Sequence, residues 1–126
     1  ELVNAGHLGR KTGRGFYTYN QGKPQKGAVG QVPTGLADRL VTPFLAAAQR
    51  CVEQGVVADA ELADAGVIFG TGFAPFRGGP IGQIQTLGVA NFVAACDRLA
   101  EQCGERFRPG ESLRKKSAEG SQFFPI

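Results

Sequence analysis

Apolar residues recur at intervals of three and four positions in two stretches, and this spacing constrains the fold more than any other feature. The first stretch runs from Leu36 to Val52 and the second from Val89 to Cys103. Side chains at this spacing share one face of an α-helix, and that face has to pack against another element. No segment shows the alternation of apolar and polar residues that is typical of strands. The sequence therefore predicts an all-α domain.

The ends of the helices can be placed from capping and helix-breaking residues. Thr34 is predicted to cap the first helix and Asp59 the second, because both side chains can accept a hydrogen bond from a free backbone N–H. Pro80 suits the first turn of a short third helix, and a polar last helix is predicted over 111–119. The predicted core-facing residues of the first helix are Leu36, Leu40, Phe44, Ala47, Ala48, Cys51 and Val52.

A stretch rich in Gly, Gln, Lys and Pro separates two units of the chain. Residues 21–33 contain few large apolar side chains, so we interpret them as a linker. Residues 1–20 form a basic loop with several glycines and are predicted to close a preceding domain. Residues 34–126 carry the helical pattern and form the predicted domain. The chain begins at Glu1 and contains no methionine, which indicates a segment of a longer protein.

Charge and cysteine content narrow the class of protein. The net charge is +3, and aromatic residues do not interleave with the basic clusters as they do in single-strand binders, so nucleic acid is not expected as a partner. The three cysteines are odd in number and include no CxxC pair, which predicts free thiols in a reducing compartment. No apolar run reaches the ~18 residues of a membrane span, and no secretory leader opens the chain.

Motifs of catalysis and cofactor binding are incomplete. Lys11 and Thr12 lack both glycines of a phosphate-binding Walker loop, and residues 70–75 follow a predicted helix and end in proline, unlike a dinucleotide fingerprint. His7 is the only histidine, and only Glu1 lies close enough in sequence to orient it. We therefore predict no catalytic, cofactor-binding or metal-binding residue. Three carboxylates suit the start of the second helix: Asp59, Glu61 and Asp64.

Three longer strings resemble a known family. Residues 8–17 (LGRKTGRGFY) are similar to the segment that closes the helical domain of 3-hydroxyacyl-CoA dehydrogenases, and residues 36–55 resemble the long first helix of that domain. Residues 69–88 resemble the second copy of the domain, which occurs in multifunctional fatty-acid β-oxidation proteins. The resemblance implies an all-α fold of the 6-phosphogluconate dehydrogenase C-terminal-like type. It also implies that residues 1–20 are the tail of the first helical repeat.

The same resemblance implies the chemistry of a parent enzyme. In this family a Rossmann domain binds NAD and carries the His–Glu pair that deprotonates the 3-hydroxyl of the substrate, and helical domains close the acyl-CoA cleft. Neither the dinucleotide domain nor the pair occurs in this chain, so the fragment alone is predicted to be inactive and to hold no cofactor. Asp38 stands where catalytic copies have a substrate-binding asparagine, and a carboxylate can only accept hydrogen bonds. This copy is therefore expected to be structural.

Partners and location are implied in the same way. The expected partners are the upstream Rossmann domain and the first helical repeat of the parent. Acyl-CoA is the expected substrate of the parent, and a homo-oligomer is a further alternative. The expected location is the cytoplasm, or the peroxisome or mitochondrion in a eukaryote. The rival interpretations are a helical interaction module with an independent partner and a weak nucleic-acid-binding domain.

One loop has the composition of an interaction surface. Aromatic residues and arginine are the types that anchor interfaces, and here they occur together with conformationally special Gly and Pro. The predicted interface residues are Phe73, Phe76, Arg77, Gly78, Gly79 and Pro80. The alternative is that both phenylalanines fill the core under the loop while Arg77 caps a helix end.

Overall fold

The computed structural model describes residues 1–125, so Ile126, the last residue of the predicted domain 34–126, lies outside the description. The chain divides into two compact units between Pro33 and Thr34. The second unit is all-α, as predicted, and none of the helices in the described range is long and apolar enough to cross a membrane. Its helices are α1 (Leu36–Glu53), α2 (Ala60–Thr71), α3 (Gly79–Leu87), α4 (Val89–Cys103) and α5 (Glu111–Glu119).

Local capping residues account for several helix ends. Asp59 precedes α2, and its Oδ1 accepts a hydrogen bond of 2.8 Å from the backbone N–H of Leu62, which confirms the predicted cap. Pro80 lies in the first turn of α3, and α5 begins and ends at the predicted residues. The predicted cap at Thr34 is wrong, because Gly35, with a φ of 79°, occupies the N-cap position of α1.

The core of the second unit is formed by four helices. Leu45 of α1, Ile84 of α3, Cys96 of α4 and Leu113 of α5 are each at most 1% exposed, and Phe92 belongs to the same cluster. Burying an apolar side chain of this size stabilises a fold by roughly 1.5–3 kcal/mol. Since α1 packs on both α3 and α4, this core decides which side of α1 remains at the surface.

A polar contact ties the carboxy-terminal segment to α3. The backbone N–H groups of Phe123 and Phe124 donate hydrogen bonds of 2.9 Å and 2.8 Å to Gln85 Oε1. Gln85 Nε2 in turn donates a bond of 3.1 Å to the carbonyl oxygen of Phe124. The ring of Phe123 packs against the core and lies 4.9 Å from Lys116 Nζ. One glutamine side chain thus satisfies backbone groups that have no helix or sheet partner.

The first unit contains two strands that the sequence analysis did not predict. Strand β1 (Thr18–Asn20) pairs antiparallel with β2 (Lys23–Gln25). The two residues between them, Gln21 and Gly22, have φ values of 48° and 75°, as a tight hairpin turn requires. Strand β2 therefore lies inside the stretch 21–33 that was interpreted as a linker. Strands of three residues are too short to show a clear alternation of apolar and polar side chains.

Candidate functional site

Helix α1 carries apolar residues on two opposite sides. Its inner side packs on the core through Leu45 and Ala46, and Gln49 on the same side is buried and donates a hydrogen bond to the Ser112 hydroxyl. Its outer side holds Leu40, which is 64% exposed, and Phe44, which is 38% exposed. Successive residues of a helix are about 100° apart around its axis, and this angle places the two sets on opposite sides. The helix is thus apolar both towards the core and towards the surface.

This arrangement corrects the predicted core face of the first helix. Of the predicted residues only Ala48 is buried, whereas Leu40, Phe44 and Ala47 are exposed. The apolar residues of each side recur every three or four positions. Periodicity therefore identifies both sides but does not indicate which one packs on the core. Residues 40–49 contain no charged side chain, although the surface side of a helix normally carries charge. We call Leu40, Phe44 and Ala47 the α1 outer face.

Asp38 lies in the first turn of α1. Residues 37–41 are all exposed, so its carboxylate faces water and is not enclosed in a pocket of this unit. A negative charge at this position is favoured by the partial positive charge of the helix amino terminus. The local structure therefore explains the carboxylate as part of a helix start.

The predicted interface loop between α2 and α3 turns part of its residues inward. The ring of Phe73 stacks on that of Phe44, with ring centroids 5.6 Å apart and ring planes inclined by 18°, and Phe73 also packs against the core. Gly79 and Pro80 are buried in the first turn of α3. Phe73 thus follows the alternative in which the phenylalanines fill the core. Its stack on Phe44 also joins the loop to the α1 outer face.

The middle of the loop lies at the surface. Phe76 is 84% exposed, and Arg77 and Gly78 are exposed beside it. The guanidinium carbon of Arg77 lies 5.5 Å from the ring centroid of Phe76, within the range of a cation–π contact. Gly78 has a φ of 75° and turns the chain into α3. A role of Phe76, Arg77 and Gly78 in an interface remains a prediction.

Asp64 of α2 holds the start of α3. Its side chain is buried, and the backbone N–H groups of Ile81 and Gly82 donate bonds of 2.7 Å and 2.9 Å to its two carboxylate oxygens. The first N–H groups of a helix have no partner within the helix, so this carboxylate satisfies two of them. Burial raises the pKa of the Asp64 carboxyl above its ordinary value, and the bonds from Ile81 and Gly82 oppose that rise. Asp64 was predicted to serve the start of α2, and its contact with α3 was not predicted.

The contact with Asp64 explains the glycine that precedes Pro80. Gly79 has a φ of 85°, which favours glycine over all other residues. A Cβ atom at Gly79 would also overlap the side chain of Asp64. The fold of this unit therefore requires glycine at position 79 both for its backbone conformation and for its close contact with Asp64. Neither requirement can be seen in a sequence pattern.

The thiol of Cys96 is expected to react far more slowly than those of Cys51 and Cys103. Burial raises the pKa of the Cys96 thiol to about 11, the charge of Asp97 adds to this rise, and Arg114 opposes it. Only the thiolate is alkylated readily, and Cys51 and Cys103 are partly exposed. Iodoacetamide labelling with mass spectrometry should modify these two first and Cys96 only after unfolding in urea. Equal labelling of all three thiols in the folded chain would contradict this assignment.

Nearly the whole chain is similar to one segment of larger proteins. The fatty acid oxidation complex subunit alpha of Shewanella oneidensis is 37% identical over 137 residues, which cover 98% of this chain and 19% of that protein. The subunits of the same name from Shewanella baltica and Shewanella frigidimarina are 37% and 39% identical, again over 98% of this chain. The chain thus spans about a fifth of the length of these relatives. No model of a known protein family matches the chain.

Proposed function

Since the chain belongs to the 3-hydroxyacyl-CoA dehydrogenase family, as a copy of its helical carboxy-terminal domain, we propose that it is a structural domain of a multifunctional fatty-acid β-oxidation protein. In this proposal the domain docks on the upstream Rossmann domain and first helical repeat of its parent and supports the acyl-CoA cleft from outside. The upstream parts carry out the NAD-dependent oxidation of the 3-hydroxyacyl-CoA substrate.

The α1 outer face is the observation that carries this proposal. Leu40 is 64% exposed, and the segment 40–49 offers no charge to keep this side of the helix hydrated. Removing apolar surface from water is favourable by roughly 25 cal/mol per Å² before the entropic cost of association, and contiguous exposed apolar residues mark interaction sites. The stack of Phe44 on Phe73 extends the face to the loop that exposes Phe76. These residues form a suitable surface for another domain of the same protein.

Nothing in the glycine-rich segment at the end of α2 suits a dinucleotide. Gly72 ends α2 with a φ of 73°, so the segment 70–72 lies at the carboxyl end of a helix. Carbonyl oxygens and the negative end of the helix dipole gather there, whereas phosphate groups bind at helix amino termini. This segment therefore does not fit NAD, and in the proposal the cofactor belongs to the upstream part of the parent.

Asp38 supports a structural role for this copy of the domain. Acyl-CoA offers carbonyl oxygens and phosphates, which need hydrogen-bond donors or positive charge. An ionised carboxylate supplies neither, because it only accepts hydrogen bonds and repels phosphate. Aspartate in place of the amide thus cannot donate a hydrogen bond to these acceptor groups of the substrate.

The proposal predicts that this chain restores the activity of a parent protein from which it has been removed. The isolated chain should form no NADH from a 3-hydroxyacyl-CoA, and the truncated parent should form little. Mixing the two should restore turnover, and Leu40→Asp should weaken their association at least about tenfold, since a charge would be buried without a partner. Binding is measured by calorimetry and turnover by NADH absorbance.

Leu87→Asp is the matched control for this experiment, because Leu87 is 49% exposed, lies at the end of α3 and is not part of the α1 outer face. It should bind the truncated parent like the unmodified chain. NADH formation by the isolated chain, or equal binding by the Leu40→Asp variant and the unmodified chain, would refute the proposal. Binding of an oligonucleotide in place of the truncated parent would instead favour the nucleic-acid interpretation.

A further inference from the structure

Helix α2 presents an apolar side at the surface. Leu62 is 56% exposed and Phe69 is 89% exposed. The two glycines between and beside them, Gly66 and Gly70, are exposed as well. All four are spaced by three or four residues or adjoin one another, so they share the side of α2 opposite the buried Asp64. We call Leu62, Gly66, Phe69 and Gly70 the α2 outer face.

The α2 outer face has no charged residue to favour hydration. Residues 65–76 contain no charged side chain, although many of them lie at the surface. Among the described residues of the second unit, Phe69 is the most exposed large apolar side chain. A helix side that remains in water normally carries charged or polar residues. This side therefore has the composition of a surface that another element covers.

The two glycines give this face a hollow between larger side chains. A Cβ atom at Gly66 or Gly70 would meet nothing within 4 Å, so the packing of this unit does not require glycine at either position. Glycine inside a helix is less favourable than alanine because it loses more conformational freedom. Glycine at these two positions leaves room for the backbone of another helix to approach α2 closely between Leu62 and Phe69.

We propose that the α2 outer face binds a helix of the same parent polypeptide from outside this chain. This inference rests on the proposed function. About four fifths of each relative lies outside the matched segment, and that part supplies the helix. The bound side of the helix carries small and apolar residues without charge, because the α2 outer face offers no counter-charge.

The position of the α2 outer face supports a partner within the parent. The chain continues from Gly70 to Phe73, whose ring stacks on Phe44 of the α1 outer face. Helices α1 and α2 also contact each other directly. The α2 outer face thus ends three residues before a side chain that contacts the α1 outer face, so a domain that covers one face can reach the other.

Replacing Gly66 with leucine tests the inference through two effects of opposite sign. In the isolated chain, leucine has free space and favours the helix, so the Tm should rise by roughly 4 °C. In the full-length parent, the same side chain blocks the close approach of the second helix, and limited proteolysis within this domain should become at least about tenfold faster. Ala94→Leu on the exposed side of α4 is the control and should leave proteolysis of the parent unchanged.

A photo-crosslinking residue at position 69 of the full-length parent provides the second measurement. The expected product is a link within one chain to a helix upstream of this domain. The inference would be overturned by a link between two copies or by the absence of any protein link. It would also be overturned if the Tm of the isolated Gly66→Leu chain were lower, or if proteolysis of the Gly66→Leu parent were unchanged. If Leu40→Asp weakens association while Gly66→Leu has no effect in the parent, the proposed function stands and this inference falls.

Discussion

Replacing Gly79 with alanine should lower the free energy of unfolding of the second unit by about 3 kcal/mol or more. The backbone at Gly79 has a φ of 85°, where a residue with a Cβ atom is strained by roughly 1–2 kcal/mol. The new methyl group would also displace the side chain of Asp64. The N–H groups of Ile81 and Gly82 would then lose their acceptor, and each buried unpaired donor costs about 1–3 kcal/mol.

Urea unfolding followed by circular dichroism measures this loss. The matched control is Arg77→Ala in the same loop, where an exposed side chain should change the free energy of unfolding by at most about 0.5 kcal/mol. A loss below about 1 kcal/mol for Gly79→Ala would mean that Asp64 does not hold α3 in this way. Similar losses for both variants would show that Arg77 also serves the fold, which would contradict its prediction as an interface residue.

Replacing Gln85 with leucine should release the carboxy-terminal segment from α3. Leucine is similar in size but cannot accept the bonds from the N–H groups of Phe123 and Phe124 or donate to the Phe124 carbonyl. With these groups unpaired, the free energy of unfolding should fall by about 2 kcal/mol. Hydrogen exchange at residues 123–124 should become faster by more than tenfold, because local opening no longer breaks these bonds.

The control for this experiment is Gln102→Leu, at an exposed position of α4. It makes the same chemical change without affecting the carboxy-terminal segment, so exchange at residues 123–124 should remain slow. Unchanged exchange in the Gln85→Leu variant would show that the packing of Phe123 alone retains the segment. The two variants therefore separate the hydrogen bonds from the apolar contact.

The positions of the helices could be predicted from neighbouring residues. Asp59 caps α2 through a bond to Leu62, three positions away, and α5 ends before Gly120, which has a φ of 64°. Such ends depend on side-chain chemistry within one helical turn. The hairpin was missed because its turn contains Gln21, which gives a weaker signal than the Asn-Gly or Asp-Gly pairs that usually mark such turns.

The candidate site was only partly predictable. The composition of the loop 73–80 identified residues of special conformation, but it could not separate Phe73, which packs inward, from Phe76, which is 84% exposed. The outer faces of α1 and α2 were also not predicted, since an apolar residue in a periodic pattern is ordinarily assigned to the core. Their exposure became visible only once the core residues of this unit were known.

By itself the sequence determined that this chain forms helices, where most of them begin and end, and which family it belongs to, because these properties depend on local patterns. Only the tertiary structure decided which apolar side of α1 meets the core and which helix Asp64 serves. The carboxylate of Asp64 binds N–H groups 17 and 18 positions further along the chain. Contacts over such separations depend on how whole helices pack, and no local spacing of residues encodes that packing.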